Sequence, residues 1–132
     1  MSTSPMGHTC ICVEDMERSI EFYKKAFDLE PIARLAPPGF KLVWMGKPAC
    51  KGETPCFLEL RTDDGHTGPY EKGYPSNHFA LTVDDVGEYY RRHEAMGIID
   101  FGAPEGPYFV RDIDGYSIEV MDKAVIERLM GE

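Results

Sequence analysis

The sequence predicts an α+β protein in which two βαβββ modules share a single domain of 132 residues. Two stretches, residues 8–15 and 78–85, each begin with a histidine, alternate apolar with other residues, and end with an acidic residue. Such alternation is typical of a strand with one buried face, and a helical pattern follows each stretch. A later strand in each half carries a glutamate between two aliphatic residues. We therefore expect a duplicated unit, with modules at about residues 7–62 and 77–122 and a connector over residues 63–76.

Each half of the chain has the same predicted order of a strand, a helix and three further strands. In the first helix Met16, Ile20, Tyr23 and Phe27 recur at helical spacing and form one apolar face. The elements predicted for the first half are a strand at 8–13, a helix at 15–27 that Glu14 or Asp15 starts, a short strand within 30–38, a strand at 40–45, a loop at 47–55 and a strand at 56–61. Those predicted for the second half are a strand at 78–83, a helix from Asp84 or Asp85 to Met96 that Gly97 ends, strands at 98–101, 107–111 and 116–121, and a terminal helix at 123–130.

The composition narrows the functional classes. The chain has 42% hydrophobic and 28% charged residues, as soluble globular proteins do. No apolar run approaches the roughly eighteen residues that span a bilayer. A net charge of −9 disfavours a nucleic-acid partner, which requires a basic face. The start of the sequence lacks the basic and apolar regions of a signal peptide, so we expect a cytoplasmic location.

Four cysteines, at positions 10, 12, 50 and 56, lack the spacing of a zinc knuckle. In a cytoplasmic protein we expect them to stay reduced, and we interpret them mainly as small buried hydrophobic residues. Cys10 and Cys12 nevertheless alternate on the same strand face as His8, which leaves open a role in lining a site.

Four residues form a candidate metal site: His8, Glu59, His78 and Glu119. Any one of them alone is more often a solvated or structural residue than a ligand. Each half, however, places a histidine at the start of its first strand and a glutamate in its last strand, opposite aliphatic faces that must pack on helices. If the two halves curl together, two imidazoles and two carboxylates meet. This donor set suits nickel, cobalt, zinc, manganese or iron better than magnesium or calcium, and its open coordination positions indicate catalysis.

Other reactive or aromatic side chains are weaker candidates. We expect His66 to be solvated in the connector and His93 to be a satisfied or half-buried residue on its helix. Trp44, Phe57 and Tyr108 could line a pocket, although aromatic residues in strands belong more often to a core.

Four segments of the chain carry a recognisable pattern. They are His8-Thr9 followed by Asp15-Met-Glu-Arg-Ser-Ile-Glu-Phe-Tyr23, then Phe57-Leu-Glu-Leu60, then the strand from His78 that runs into Val83-Asp-Asp85, and Asp112-Ile-Asp-Gly-Tyr-Ser-Ile-Glu119. Together with the candidate ligands, these segments resemble the vicinal oxygen chelate superfamily, and specifically bacterial glyoxalase I (lactoylglutathione lyase). The resemblance covers about residues 7–122, with one extra residue before His78 and with Ile113 where proline is usual.

The resemblance implies a glyoxalase-like curved mixed sheet around one divalent metal ion, held by His8, Glu59, His78 and Glu119. It implies a lyase that converts the hemithioacetal of methylglyoxal and glutathione to S-lactoylglutathione via an enediolate, with the metal as a Lewis acid. Glu119 would be the base that moves the proton, and Glu59, at the mirror position, would serve the other substrate enantiomer. The short chain resembles the class activated by nickel or cobalt more than the zinc class, and a homodimer is expected.

Three departures from the family pattern concern the thiol cosubstrate. Cys12 stands where family members usually carry an arginine that grips a glutathione carboxylate, Asp63 stands where asparagine is common, and Glu105 lies near a usual lysine. Fewer cations and more acids should weaken the binding of an anionic tripeptide. We therefore expect Cys12, Arg61 and Asp63 to contact the substrate, with Arg61 or Arg111 as a compensating cation.

Two alternatives stay open at this point. One is another enzyme of the same superfamily, such as an epimerase, an isomerase, or a lyase that acts on the adduct of a different thiol. The other is a non-catalytic protein of the same fold that binds a small molecule, against which the complete ligand set argues. The ligand types decide neither the native metal nor whether the site lies within one subunit or across a dimer interface.

Overall fold

A computed structural model describes residues 4–48 and 55–131, which contain eight strands and three helices. The predicted loop at 47–55 falls largely outside the described residues, as does Cys50. The elements are β1 His8–Cys12, α1 Met16–Phe27, β2 Glu30–Leu35, β3 Phe40–Gly46, β4 Phe57–Asp63, β5 Phe79–Val83, α2 Val86–Met96, β6 Ile99–Gly102, β7 Tyr108–Arg111, β8 Ser117–Asp122 and α3 Lys123–Gly131. The predicted elements are confirmed, and most of their ends shift by no more than about two residues. No helix in the described ranges has both the length and the apolar character needed to cross a membrane.

Each module forms its own mixed four-stranded sheet. The strand order is β1-β4-β3-β2 in the first module and β5-β8-β7-β6 in the second. In both sheets the first strand of the module runs parallel to the last, and the other neighbours are antiparallel. The α+β class and the two βαβββ modules are therefore confirmed. The chain divides into two compact units after Tyr70, within the predicted connector; that the modules form a single domain stays a prediction.

In the first module, helix α1 covers one face of the sheet. Asp15 caps the helix, because its carboxylate accepts a hydrogen bond of 3.1 Å from the backbone N–H of Arg18. The helix packs against β2, β3 and β4, and Leu58 and Leu60 of β4 are buried. Since side chains alternate along a strand, Glu59 lies on the opposite face.

The second module repeats this arrangement with α2 and β8. Asp85 caps α2, and Gly97 ends it in the left-handed conformation with a φ of 72°. Ile118 and Val120 are fully buried, which turns Glu119 to the other face of β8. Glu59 and Glu119 thus hold equivalent positions in the two sheets.

A buried carboxylate fixes the turn that leads into β8. Asp112 accepts hydrogen bonds from the backbone N–H groups of Asp114, at 3.0 Å, and of Tyr116, at 2.8 Å. Gly115 completes the turn with a φ of 91°, a conformation that favours glycine. This turn sets the start of β8, and therefore the position of Glu119 along the strand.

Candidate functional site

In the first module, His8 and Glu59 form a close pair on the sheet face opposite the buried aliphatic residues. The Nε2 atom of His8 lies 3.6 Å from Oε1 of Glu59, and the side chains are 42% and 14% exposed. The His8 ring stacks on Phe57 with 5.0 Å between ring centroids, which restricts its orientation. The fold therefore brings together two of the four predicted ligands.

In the second module, His78 and Glu119 form the equivalent pair. The Nε2 atom of His78 lies 3.2 Å from Oε1 of Glu119, and its Nδ1 atom lies 2.9 Å from the backbone carbonyl of Ser76. Because a carbonyl only accepts hydrogen bonds, Nδ1 carries the proton and Nε2 faces the carboxylate. A neutral imidazole lone pair and a carboxylate repel each other unless a positive centre, either a proton or a metal ion, lies between them.

The spacing within each pair suits two ligands of one cation. Zinc-like ions hold histidine nitrogen and carboxylate oxygen at about 2.0–2.2 Å, so ligands about 90–110° apart are separated by about 3.0–3.5 Å. The separations of 3.6 and 3.2 Å lie at or near this range. One pair supplies only two donors, and within the described ranges no group of three or more His, Cys, Asp or Glu side chains is placed to hold a metal.

Glu59 accepts hydrogen bonds from two other side chains. The indole Nε1–H of Trp44 donates to Oε2 of Glu59 at 2.9 Å, and the thiol of Cys10 also donates to this carboxylate. The Cys10 side chain as a whole is exposed, but partial desolvation of its thiol, followed by the hydrogen bond to Glu59 and the carboxylate charge, raises the pKa of Cys10 to about 12. Cys10 is thus a thiol that supports a candidate ligand.

The interpretation of the cysteines as buried hydrophobic residues is wrong for the three that the structure describes. Cys10 and Cys56 are exposed, and Cys12 is half-buried. The reason is the alternation of β1, which buries Ile11 and Val13 and leaves Cys10 and Cys12 on the face that carries His8.

Trp44 was considered only as a possible pocket-lining residue, and its hydrogen bond to Glu59 was missed. It lies between the buried Val43 and Met45, so the alternation of β3 already turns it to the ligand side of the sheet. Its ring stacks on Phe57 at 4.3 Å, so Phe57 joins the ligand face as well. Tyr108, by contrast, belongs to the core, as its residue type favours.

The predicted substrate contacts in the first module lie together. Arg61 donates a hydrogen bond of 2.7 Å from Nε to Asp63, and its guanidinium group lies 4.1 Å from the centroid of the Phe40 ring. Cys12 is the register partner of Arg61 on the neighbouring strand. Burial and the Asp63 charge raise the pKa of Cys12, while Arg61 acts in the opposite direction. The positive charge of Arg61 is therefore already paired.

The remaining histidines have structural contacts. His93 is fully buried, and its Nδ1 atom lies 2.8 Å from the hydroxyl of Tyr108, so its interpretation as a satisfied helix residue is confirmed. His66 is exposed and stacks on Tyr70 with 3.7 Å between centroids. Arg111 binds Asp100 at 3.0 Å.

An open cleft of about 430 Å³ lies between the start of α1 and strands β2 and β3. Two of its four charged lining residues, Glu17 and Arg34, bind each other at 2.8 Å. None of the predicted ligands or substrate contacts lines this cleft. The His–Glu pairs remain the better candidate site because their donors match a metal chemistry.

Comparisons with a family model, with curated proteins and with solved structures all find similarity to glyoxalases. The family model of the Glyoxalase/Bleomycin resistance protein/Dioxygenase superfamily matches residues 6–120. A lactoylglutathione lyase from Escherichia coli O157:H7 is 30% identical over 133 residues, which cover 94% of this chain and 96% of the relative. One from Haemophilus influenzae is 31% identical over 124 residues, with 87% and 90% covered. The trypanothione-dependent glyoxalase I of Leishmania major has a TM-score of 0.84 and 29% identity, and the match covers 98% of this chain and 94% of that one.

Proposed function

Because the chain belongs to the glyoxalase/bleomycin resistance protein/dioxygenase superfamily, we propose that it is a metal-dependent, glyoxalase I-like lyase. Its substrate would be the hemithioacetal of methylglyoxal and glutathione, and its product S-lactoylglutathione. The observation that carries the proposal is the His–Glu pair that recurs at equivalent positions of both modules. The relatives called lactoylglutathione lyase, about 30% identical over nearly the whole chain, support the same activity.

The metal in this proposal is one divalent ion, nickel or cobalt in preference to zinc, held by His8, Glu59, His78 and Glu119. When bound, the ion supplies Lewis-acid stabilisation of charge on the neighbouring substrate oxygens. The contact between Ser76 and Nδ1 of His78 supports this role, because it fixes the tautomer that directs Nε2 at a ligand position. A homodimer is part of the proposal.

The proton transfer is assigned to Glu119. A hemithioacetal carries a C–H proton that must leave one carbon and return to the next, and a carboxylate in reach of both carbons can do this. Glu119 is 19% exposed, so its carboxylate is accessible to a small molecule and also partly shielded from water.

A second candidate is the same lyase chemistry on the adduct of a less anionic thiol. The specific observation in its favour is the Arg61–Asp63 ion pair, because it neutralises the cation expected to grip a glutathione carboxylate. Cys12, beside this pair, is uncharged at neutral pH since its pKa is raised.

The test is reconstitution after removal of the metal. The stripped protein is loaded separately with Ni²⁺, Co²⁺ and Zn²⁺, and thioester formation is followed with methylglyoxal adducts of glutathione and of a neutral thiol. Turnover of the glutathione adduct supports the first candidate, and preference for the neutral adduct supports the second. Metal binding without turnover of either adduct would contradict both.

A further inference from the structure

The carboxylate of Glu59 is anchored from both neighbouring strands. Glu59 is the register partner of Cys10 on β1 and of Trp44 on β3. Both partners donate hydrogen bonds to it, Trp44 through Nε1–H at 2.9 Å and Cys10 through its thiol. Because Trp44 contacts Oε2, the other oxygen is left facing His8. The arrangement fixes which oxygen Glu59 offers to a metal.

The equivalent positions around Glu119 have no donors. Its register partners are Ala80 on β5 and Phe109 on β7, whose side chains cannot donate hydrogen bonds. Phe109 instead packs edge-on against His78, with 5.2 Å between centroids. In the part of the chain that the structure describes, the Glu119 carboxylate has His78 as its one side-chain polar contact.

We propose that Trp44 and Cys10 are positioning residues that make the two glutamates unequal, with Glu59 a fixed ligand and Glu119 a mobile carboxylate. This inference rests on the proposed metal centre. It explains the different roles of Glu59 and Glu119 by the donors that only Glu59 has. A carboxylate held by two donors must break both hydrogen bonds to leave its position, whereas Glu119 has only its contact with His78 to give up. Proton transfer therefore falls to Glu119 alone, and Glu59 does not act as a second base for the other enantiomer.

The hydrogen bond itself is tested in the metal-free protein. Trp44 is the single tryptophan of the chain, so a ¹⁵N-labelled sample gives one indole N–H signal. A charged acceptor moves such a proton downfield, and Glu59→Gln should move it back upfield. Glu30→Gln, which neutralises an exposed carboxylate of the same module, is the matched control. If the chemical shift of the indole proton is the same in Glu59→Gln as in the unaltered protein, the inference is wrong, independently of any metal-binding result.

The effect on the metal is tested by replacing the donor atom alone. In a tryptophan auxotroph, benzothienylalanine replaces the indole N–H by sulfur with little change of shape, and 5-fluorotryptophan, which keeps the N–H, controls for incorporation. We expect the sulfur analogue to weaken Co²⁺ binding by about tenfold, as loss of a hydrogen-bond partner of a ligand does, and to alter the visible absorption of bound Co²⁺. Cys10→Ala should weaken binding to a smaller extent, with the exposed Cys56→Ala as its control.

The outcomes separate this inference from the proposed function. Equal Co²⁺ affinity and equal spectra for both tryptophan analogues would overturn the inference while the metal centre stands. Analogue-dependent Co²⁺ binding without hemithioacetal turnover would overturn the proposed reaction and support the positioning role. An unaltered protein that binds no Co²⁺ would overturn both.

Discussion

The Nε2 atom of His78 lies 3.2 Å from Oε1 of Glu119, while the other ring nitrogen faces the carbonyl of Ser76 at 2.9 Å. One end of the imidazole is thus fixed by the backbone, and the other is directed at a carboxylate, as in histidines that bind metals. His8 and Glu59 repeat the pair in the first module at 3.6 Å.

Removing either histidine should weaken metal binding strongly. His78→Ala and His8→Ala each delete a nitrogen donor, so we expect a loss of Co²⁺ affinity above about 100-fold, the upper end of what loss of a supporting residue costs. Isothermal titration of the stripped protein measures it. His66→Ala, which removes an exposed histidine stacked on Tyr70, should leave the affinity unchanged. If His8→Ala or His78→Ala binds Co²⁺ as tightly as His66→Ala does, the replaced histidine is not a ligand.

Substitutions of Glu119 and Glu59 should affect the enzyme kinetics in different ways. Glu119→Gln removes the group that carries the proton, so kcat should fall by about 10²- to 10⁴-fold at saturating metal. Glu59→Gln should act mainly through weaker metal binding, and excess Ni²⁺ should recover part of its activity. Steady-state assays at graded metal concentrations distinguish the two effects. Activity of Glu119→Gln within a few-fold of the unaltered protein would mean that the base is misassigned.

The Arg61–Asp63 pair should control affinity for an anionic thiol adduct. Asp63→Asn frees the cation and should lower KM for the glutathione adduct by about two- to fivefold, a modest effect because both side chains are well exposed. Arg61→Ala should raise KM. Asp64→Asn is the matched control, since it makes the same charge change at the next residue, where it pairs with Lys41. The same change of KM in both aspartate variants would show a general charge effect instead.

Iodoacetamide should alkylate Cys10 slowly in the metal-free protein. Its pKa is raised from 9.0 to about 12, so its thiolate fraction near pH 8 falls about a thousandfold and its reactivity should keep rising up to about pH 12. Mass spectrometry after iodoacetamide treatment gives the rate at Cys10, with the exposed Cys56 as an internal reference. Glu59→Gln removes part of the cause and should speed labelling of Cys10. Equal rates at Cys10 and Cys56 below pH 9 would contradict the structure.

The elements and their faces could be predicted from the sequence because they depend on local patterns. The alternation around Leu58 and Leu60 placed Glu59 on the open face, and Asp85 and Gly97 marked the ends of α2. These features need only the order of residues along one strand or helix.

The neighbours of Glu59 could not be predicted in the same way. Which side chains flank it depends on the strand order β1-β4-β3-β2 and on the register that pairs it with Trp44 and Cys10. Single-strand patterns do not contain this register. The exposure of Cys10 was missed for a different reason: the alternation of β1 places it on the open face, whereas its residue type favours burial.

The proposed metal centre is one divalent ion held by His8, Glu59, His78 and Glu119. Anomalous diffraction from crystals of the Co²⁺-loaded protein tests it most directly. We expect one strong peak per site, within about 2.3 Å of a nitrogen or oxygen of each of the four residues, whether the two pairs come from one chain or two. Separate peaks at the two His–Glu pairs, or a peak bound by other side chains, would contradict it.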